Sequence, residues 1–214
     1  MENILVAGAT GTTGRQVVDF LSKSQYYNPI AMVRKEEQKA EFQAKQVDCV
    51  LADLEDDVTP AFQGSKPIDK VLFAAGSGGK KVVEVDREGA KKLVDASKTN
   101  NIRKFVMLSS MGADNPEQAD DLKEYLKAKH NADEYLKNSG LNYSIVRPGS
   151  LTNEELTNKI KLDKNLGEMG EISRANVAQT LTRALSDDVA NKQTFEILDG
   201  DTLIGEALDK VSTD

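Results

Sequence analysis

Tyr125 and Lys129 stand four residues apart in Glu124-Tyr125-Leu126-Lys127-Ala128-Lys129, a spacing that puts both on one face of a helix. An unperturbed phenol has a pKa of about 10, and a nearby ammonium favours the phenolate, which brings the hydroxyl closer to a useful acid–base range. Ser109 and Ser110 end the run Lys104-Phe105-Val106-Met107-Leu108, and a hydroxyl there could orient or polarise a substrate carbonyl. A Tyr-x-x-x-Lys on a charged helix is also a common surface pattern. A glycine stretch near the start of the chain gives it weight.

That stretch is Asn3-Ile4-Leu5-Val6-Ala7-Gly8-Ala9-Thr10-Gly11-Thr12-Thr13-Gly14-Arg15. Ile4 to Ala7 form a wholly apolar run, as expected of a strand buried on both faces. Gly8, Gly11 and Gly14 follow at three-residue spacing, and an amphipathic helix follows them. Strand, glycine turn and helix open a nucleotide-binding βαβ unit. Gly8 permits the tight turn, Gly11 lets a pyrophosphate approach the backbone, and Gly14 lets helix and strand pack closely. Free N–H groups at the helix start hold the phosphates. The competing reading is a structural turn with no ligand.

The end of the second strand bears on which dinucleotide would bind. Where NAD-binding units carry an acid for the ribose 2′-hydroxyl, this chain has Val33-Arg34-Lys35. An Arg fork there pairs with a 2′-phosphate, which points to NADP(H); Glu36 and Glu37 oppose that potential, and a merely solvated Arg34 is the alternative. Asp53, in Leu51-Ala52-Asp53-Leu54, either accepts from an adenine amino group or caps a helix. Ala74-Ala75-Gly76 leave room for a ribose against the backbone, or belong to a flexible loop.

These groups require a frame. Strand-like apolar runs recur at 4–7, 29–33, 47–51, 70–74, 105–108, 143–146 and 194–198, with helical spacing at 14–24, 35–45, 84–99, 119–138 and 174–186. The alternation predicts an α/β doubly wound parallel sheet, a Rossmann fold, as one domain over 1–214. The ligand crevice then lies at the carboxyl ends of the strands. Residues 151–172 are polar and poorly periodic, a candidate small lid on the substrate side. Ser173 has the position of an N-cap for the helix beginning at Arg174. Asp114, Glu117, Asp120 and Asp121 read as a solvated loop and helix start.

The 214 residues carry a net charge of −7 with one histidine and one cysteine. No dense basic stripe suits nucleic acid, and no apolar run approaches the ~20 residues that span a bilayer. No basic region precedes an apolar core at the N-terminus, so a cytoplasmic protein is expected. Cys49 is expected to be a buried strand residue. His130 is expected to be solvated or a neighbour of the cofactor; neither serine sits in a Gly-x-Ser-x-Gly elbow, which sets a hydrolase aside. No His/Cys cluster suggests a metal.

The order of these motifs resembles the short-chain dehydrogenase/reductase superfamily, and more closely its small atypical NAD(P)H-binding branch, which takes in biliverdin reductase B-like and NAD-dependent epimerase/dehydratase-like proteins. The resemblance rests on Gly8-Ala9-Thr10-Gly11-Thr12-Thr13-Gly14, Val33-Arg34, Asp53-Leu54, Ala74-Ala75-Gly76, Leu108-Ser109-Ser110-Met111-Gly112 and Tyr125-x-x-x-Lys129. It continues through Ser139 to Gly149 and Ile172 to Ala178. It implies that Tyr125 exchanges the proton during hydride transfer, and that Lys129 lowers the Tyr125 pKa and binds the nicotinamide ribose. Ser110, ahead of Ser109, positions the carbonyl. Pro148 and Gly149 lie by the nicotinamide ring, and the Thr12 and Thr13 backbone meets the pyrophosphate. The Asn that the classical branch carries on its fourth helix has no counterpart within 84–97.

Three functional readings follow. One is NADP(H)-dependent reduction of a small carbonyl, quinone or flavin-like substrate, by a monomer or homodimer. Another is a non-catalytic dinucleotide sensor, which has no need of a tuned phenol. The third is a nucleotide-sugar epimerase, weakened because only about 60 residues follow Gly149.

Overall fold

The computed structural model describes residues 1–119 and 122–212; Asp120 and Asp121, expected at a helix start, lie outside the described residues. Strands β1 (Glu2–Ala7), β2 (Tyr27–Val33), β3 (Asp48–Leu51), β4 (Lys70–Phe73), β5 (Lys104–Leu108), β6 (Tyr143–Pro148) and β10 (Gln193–Asp199) pair in parallel in the order β3-β2-β1-β4-β5-β6-β10. The expected doubly wound Rossmann sheet is present. Ile4, Leu5, Val6 and Ala7 are fully buried, and burial of each large apolar side chain contributes ~1.5–3 kcal/mol.

Alternation along β1 divides the core in two. Ile4 and Val6 face α1 (Thr12–Ser22), α5 (Arg174–Arg183) and α6 (Ile204–Ser212). Leu5 and Ala7 face α3 (Ala90–Thr99) and α4 (Lys123–Lys137). The helix expected over 35–45 is shorter: a 3₁₀ turn at Glu36–Gln38 and then α2 (Lys39–Gln43). The first part of the stretch expected over 84–99 is a wide π-helical segment, Val82–Gly89, which continues into α3.

Cys49 departs from its expectation. It is half-buried, because β3 is the outer strand of the sheet and pairs only with β2. The segment 151–172 carries regular structure that its polar sequence hides. Its strand β8 (Lys159–Asp163) pairs antiparallel with β10, and β11 (Thr202–Leu203) pairs with β8. β7 (Ser150–Thr152) and β9 (Glu171–Ser173) form a separate two-stranded pair. Asn176, fully buried on α5, organises this region. Its Oδ1 accepts from the amides of Thr157 and Asn158 at 3.2 and 3.0 Å, and its Nδ2 donates to Asp199 at 2.6 Å. Ser173 caps α5, its side chain accepting from the Asn176 amide at 3.1 Å.

The sheet reverses direction of growth between β1 and β4, and such a switch point leaves a crevice at the carboxyl ends of the strands. Among the described residues no helix is long and apolar enough to cross a membrane.

Candidate cofactor and active site

β1 delivers its chain to a turn that only glycine accommodates. Gly8 has φ +85°, and a Cβ there would sit 2.5 Å from the Ala75 amide nitrogen. A Cβ on Gly14 would lie 2.0 Å from the Gly8 carbonyl oxygen, so α1 can rest on the turn only without one. Gly11 precedes α1, and neither a side-chain cap nor an acid occupies the first turn of that helix. The first-turn amides therefore keep their affinity for an anion.

From this turn a cleft of about 870 Å³ opens. Gly8, Thr10, Gly11, Thr12, Thr13, Arg34, Asp53, Leu54, Ala74, Ala75, Gly76, Tyr125 and Lys129 line it. Residues expected from five separate parts of the chain thus share one cavity. Gly14, Ser110, Pro148 and Gly149 are not in its lining. Gly14 lies behind the turn, and the Pro148 carbonyl accepts from the Met111 amide at 3.0 Å. The Gly149 amide donates to Ile197 at 3.1 Å, which ties that stretch to β10.

The Arg34 side chain is exposed at the cleft, 3.9 Å from Glu55, which also accepts from Lys81 at 2.6 Å. The Arg34 and Lys35 amides both donate to Gln38 Oε1, fixing the turn after β2. Asp53 Oδ1 accepts from the Glu55 amide at 3.1 Å. It closes a short turn and caps no helix, so of its two sequence readings the helix cap is absent.

α4 brings Tyr125 and Lys129 to the cleft wall, with Lys129 Nζ 5.6 Å from the centre of the tyrosine ring and 6.0 Å from that of Phe73. Lys129 is buried, its Nζ 3.2 Å from Asp86 Oδ1 and 3.4 Å from the Leu108 carbonyl oxygen. Burial works against its charge, but the facing Tyr125, Asp86 and Asp133 outweigh that and raise its pKa above the ordinary lysine range. The side chain is a lasting ammonium.

Asp86 was not visible to motif reasoning. It sits on the π-helical segment with no solvent exposure, and its Oδ2 accepts from the amide and the hydroxyl of Ser77 at 3.0 and 2.7 Å. It joins the small-residue loop after β4 to Lys129. The π turn that carries it, a frequent mark of functional sites, is a feature of the structure that the helical spacing over 84–99 does not reveal.

The two serines differ. Ser109 is buried and donates to Asp133 Oδ2 at 2.9 Å; the same oxygen accepts from Arg147 Nε and Nη2 at 3.0 and 2.9 Å. Burial pushes the Asp133 carboxyl up, against the opposing pull of Arg147, Ser109 and Lys129. Ser110 is half-buried and donates to the Met111 carbonyl at 3.1 Å. His130 Nδ1 lies 2.8 Å from the Ala113 carbonyl oxygen, and Arg147 lies 3.7 Å from Asp114. The loop after β5 is therefore pinned to both α4 and β6. His130 itself is not in the cleft lining.

Comparison with known proteins agrees with this geometry. The family model described as NAD(P)H-binding matches residues 8–188. The "Uncharacterized sugar epimerase YhfK" of Bacillus subtilis is 39% identical over 97% of this chain and 99% of its own. A putative NAD-dependent epimerase/dehydratase from Bacillus halodurans superposes with a TM-score of 0.90 at 37% identity, covering 98% of this chain and 100% of that one. The oxidoreductase ylbE from Lactococcus lactis gives 0.89 at 31%, covering 99% and 97%. The chain belongs to the NAD(P)H-binding family of oxidoreductase-like Rossmann proteins.

Proposed function

We propose that this protein is an NADP(H)-dependent oxidoreductase that reduces a small carbonyl, quinone or flavin-like substrate. The observation that carries the reading is the placement of Tyr125 and a buried, ion-paired Lys129 on the wall of the cleft that the glycine turn opens. The residues fit the dinucleotide: an uncapped α1 start for the diphosphate, a side-chain-free turn for close approach, and Arg34 for a 2′-phosphate. Bound NADPH supplies the hydride. Tyr125 gives its hydroxyl proton to the substrate oxygen that becomes a hydroxyl. Lys129 remains positive beside the phenol and favours the phenolate left behind. Ser109 has its proton committed to a carboxylate that Arg147 holds, a charge-assisted bond. Ser110, the proposed carbonyl-orienting hydroxyl, donates only to a neighbouring carbonyl and stands outside the cleft lining, so the role requires its side chain to turn into the cleft that Ser109 already lines. Pro148, which ends β6, and Gly149 after it are proposed to flank the nicotinamide ring, although neither is in the cleft lining.

Titration with NADPH and NADH, followed by loss of reduced-nicotinamide absorbance with quinones, flavins and aldehydes, tests this. Tighter NADPH binding and turnover that falls about 10²- to 10⁴-fold in Tyr125→Phe are expected. Equal turnover in wild type and variant removes the role of Tyr125, and a preference for NADH removes that of Arg34. The names of YhfK and the Bacillus halodurans protein favour an epimerase as the second reading. An epimerase regenerates its cofactor within each cycle, so net consumption of NADPH separates the two.

A further inference from the structure

Arg174 has no part in the mechanism above, yet it lines the same cleft, together with Tyr125, Leu122 and Leu151. It is the first residue of α5, a helix whose N-terminus Ser173 already caps. Its Nη1 donates to the carbonyl oxygens of Leu151 and Thr152, each at 3.1 Å, and to Asn153 Oδ1 at 2.9 Å. Three acceptors on one nitrogen fix the plane of the guanidinium against the chain that follows β6. Its Nε and Nη2 make no hydrogen bond among the described residues. Arg15, Arg34, Arg87, Arg103 and Arg147 each lie within ion-pair distance of an acid. Arg174, like Arg183, has no such acid among the described residues; of these two, Arg174 alone lines the cleft, and it is half-buried.

We propose that Arg174 is an oxyanion-binding residue, its unused Nε–Nη2 edge taking the paired oxygens of a carboxylate or phosphate. That edge has the donor spacing of a bidentate fork. Because Nη1 is already held, binding freezes little further side-chain motion. Leu122 and Leu151 line the same cleft. The anion has two possible sources, the diphosphate of the dinucleotide or a carboxylate on the substrate; only the second rests on the reductase reading.

Calorimetric binding distinguishes them without turnover, so a failure of hydride transfer and a failure of this assignment stay separate. In the first arm, NADP⁺ and adenosine 2′-monophosphate are titrated into wild type and Arg174→Gln. A loss of tenfold or more for NADP⁺, with the monophosphate unchanged, assigns the edge to the diphosphate. In the second arm, benzoate and benzamide are titrated into the NADP⁺-saturated proteins. Tenfold or greater preference for benzoate in wild type, lost in Arg174→Gln and partly restored in Arg174→Lys, assigns it to a substrate carboxylate. Absence of any benzoate preference in wild type rules out the carboxylate source without a variant, whereas its presence is assigned to Arg174 only through the folded variants, since Arg34, Lys80, Lys81 and Lys129 line the same cleft. Unchanged NADP⁺ affinity together with no Arg174-dependent preference for benzoate overturns the proposal.

Discussion

Asp86 shows how a single side chain sets the electrostatics of this cleft. Its carboxylate, without solvent exposure, is one of the negative neighbours that keep Lys129 an ammonium against the cost of burial. In Asp86→Asn the shape is kept and the charge is lost, so burial counts for more and the Lys129 pKa falls. The sign follows directly. The protonated form is lost at a lower pH, and the alkaline limb of the kcat–pH profile moves toward neutrality. A profile superimposable on wild type would show that Asp86 does not act through Lys129. The pair was invisible in the sequence because its members stand 43 positions apart, on elements that only the sheet brings together. Tyr125 and Lys129 were legible because four residues of one helix suffice to align them. Ser109 and Asp133 fall between these cases. Asp133 continues the Tyr125–Lys129 face by one more turn, but of its partners Ser109 directly follows β5 and Arg147 lies on β6.

At the scale of elements, the region after β6 shows why polar segments mislead. Periodicity detects an apolar face, and 151–172 has little of one; its order comes from a buried amide instead. Asn176 satisfies two backbone donors of the chain leading into β8 and reaches Asp199 at the end of β10. Asn176→Leu fills a similar volume and leaves those amides without an acceptor. A buried unpaired group costs ~1–3 kcal/mol; because Thr157 and Asn158 are exposed and their bonds to Asn176 only part-buried, a loss of about 1–3 kcal/mol in urea unfolding is expected. Hydrogen exchange should rise first at Thr157 and Asn158, while β1 to β5 stay protected. Uniform loss of protection would mean that Asn176 supports the whole sheet. The glycine turn is the opposite case, a device written entirely in local sequence. Gly14→Ala places a Cβ 2.0 Å from the Gly8 carbonyl oxygen. α1 must shift away from the turn, at a cost of about 1–3 kcal/mol. NADP⁺ affinity should fall by more than the loss of stability alone explains, which calorimetry of the folded variant would read.

Across the whole molecule, the edge of the sheet opposite the cleft is held by charge. Lys70 and Lys104 are neighbours across the β4–β5 ladder, and both side chains are buried. Lys70 pairs with Glu2 and Asp187 at 2.8 and 2.7 Å. Lys104 donates to the Ser186 and Val189 carbonyls and to Asn191 Oδ1, gripping the loop between α5 and β10. Burial, and then the neighbouring charge of Lys70, lower the Lys104 pKa to about 8, against the opposing pull of Asp187 and Asp188. The unfolded chain, with an ordinary lysine, binds this proton more tightly than the folded protein does. Below pH 8 both states hold the proton, and the difference in affinity disfavours folding by its full amount. From pH 8 toward 10.5 the folded state gives the proton up first, so that penalty is progressively relieved and this contribution to stability rises with pH. At 1.36 kcal/mol per pKa unit, the gain reaches about 2 kcal/mol by pH 10. Lys104→Met abolishes the titration. It is also less stable at every pH, because three oxygens lose their donor. The diagnostic quantity is therefore the difference in melting temperature between wild type and Lys104→Met, which should widen by several degrees from pH 8 to pH 10. A constant difference would mean that Lys104 keeps its proton throughout, held by its three oxygens strongly enough to outweigh burial and the charge of Lys70.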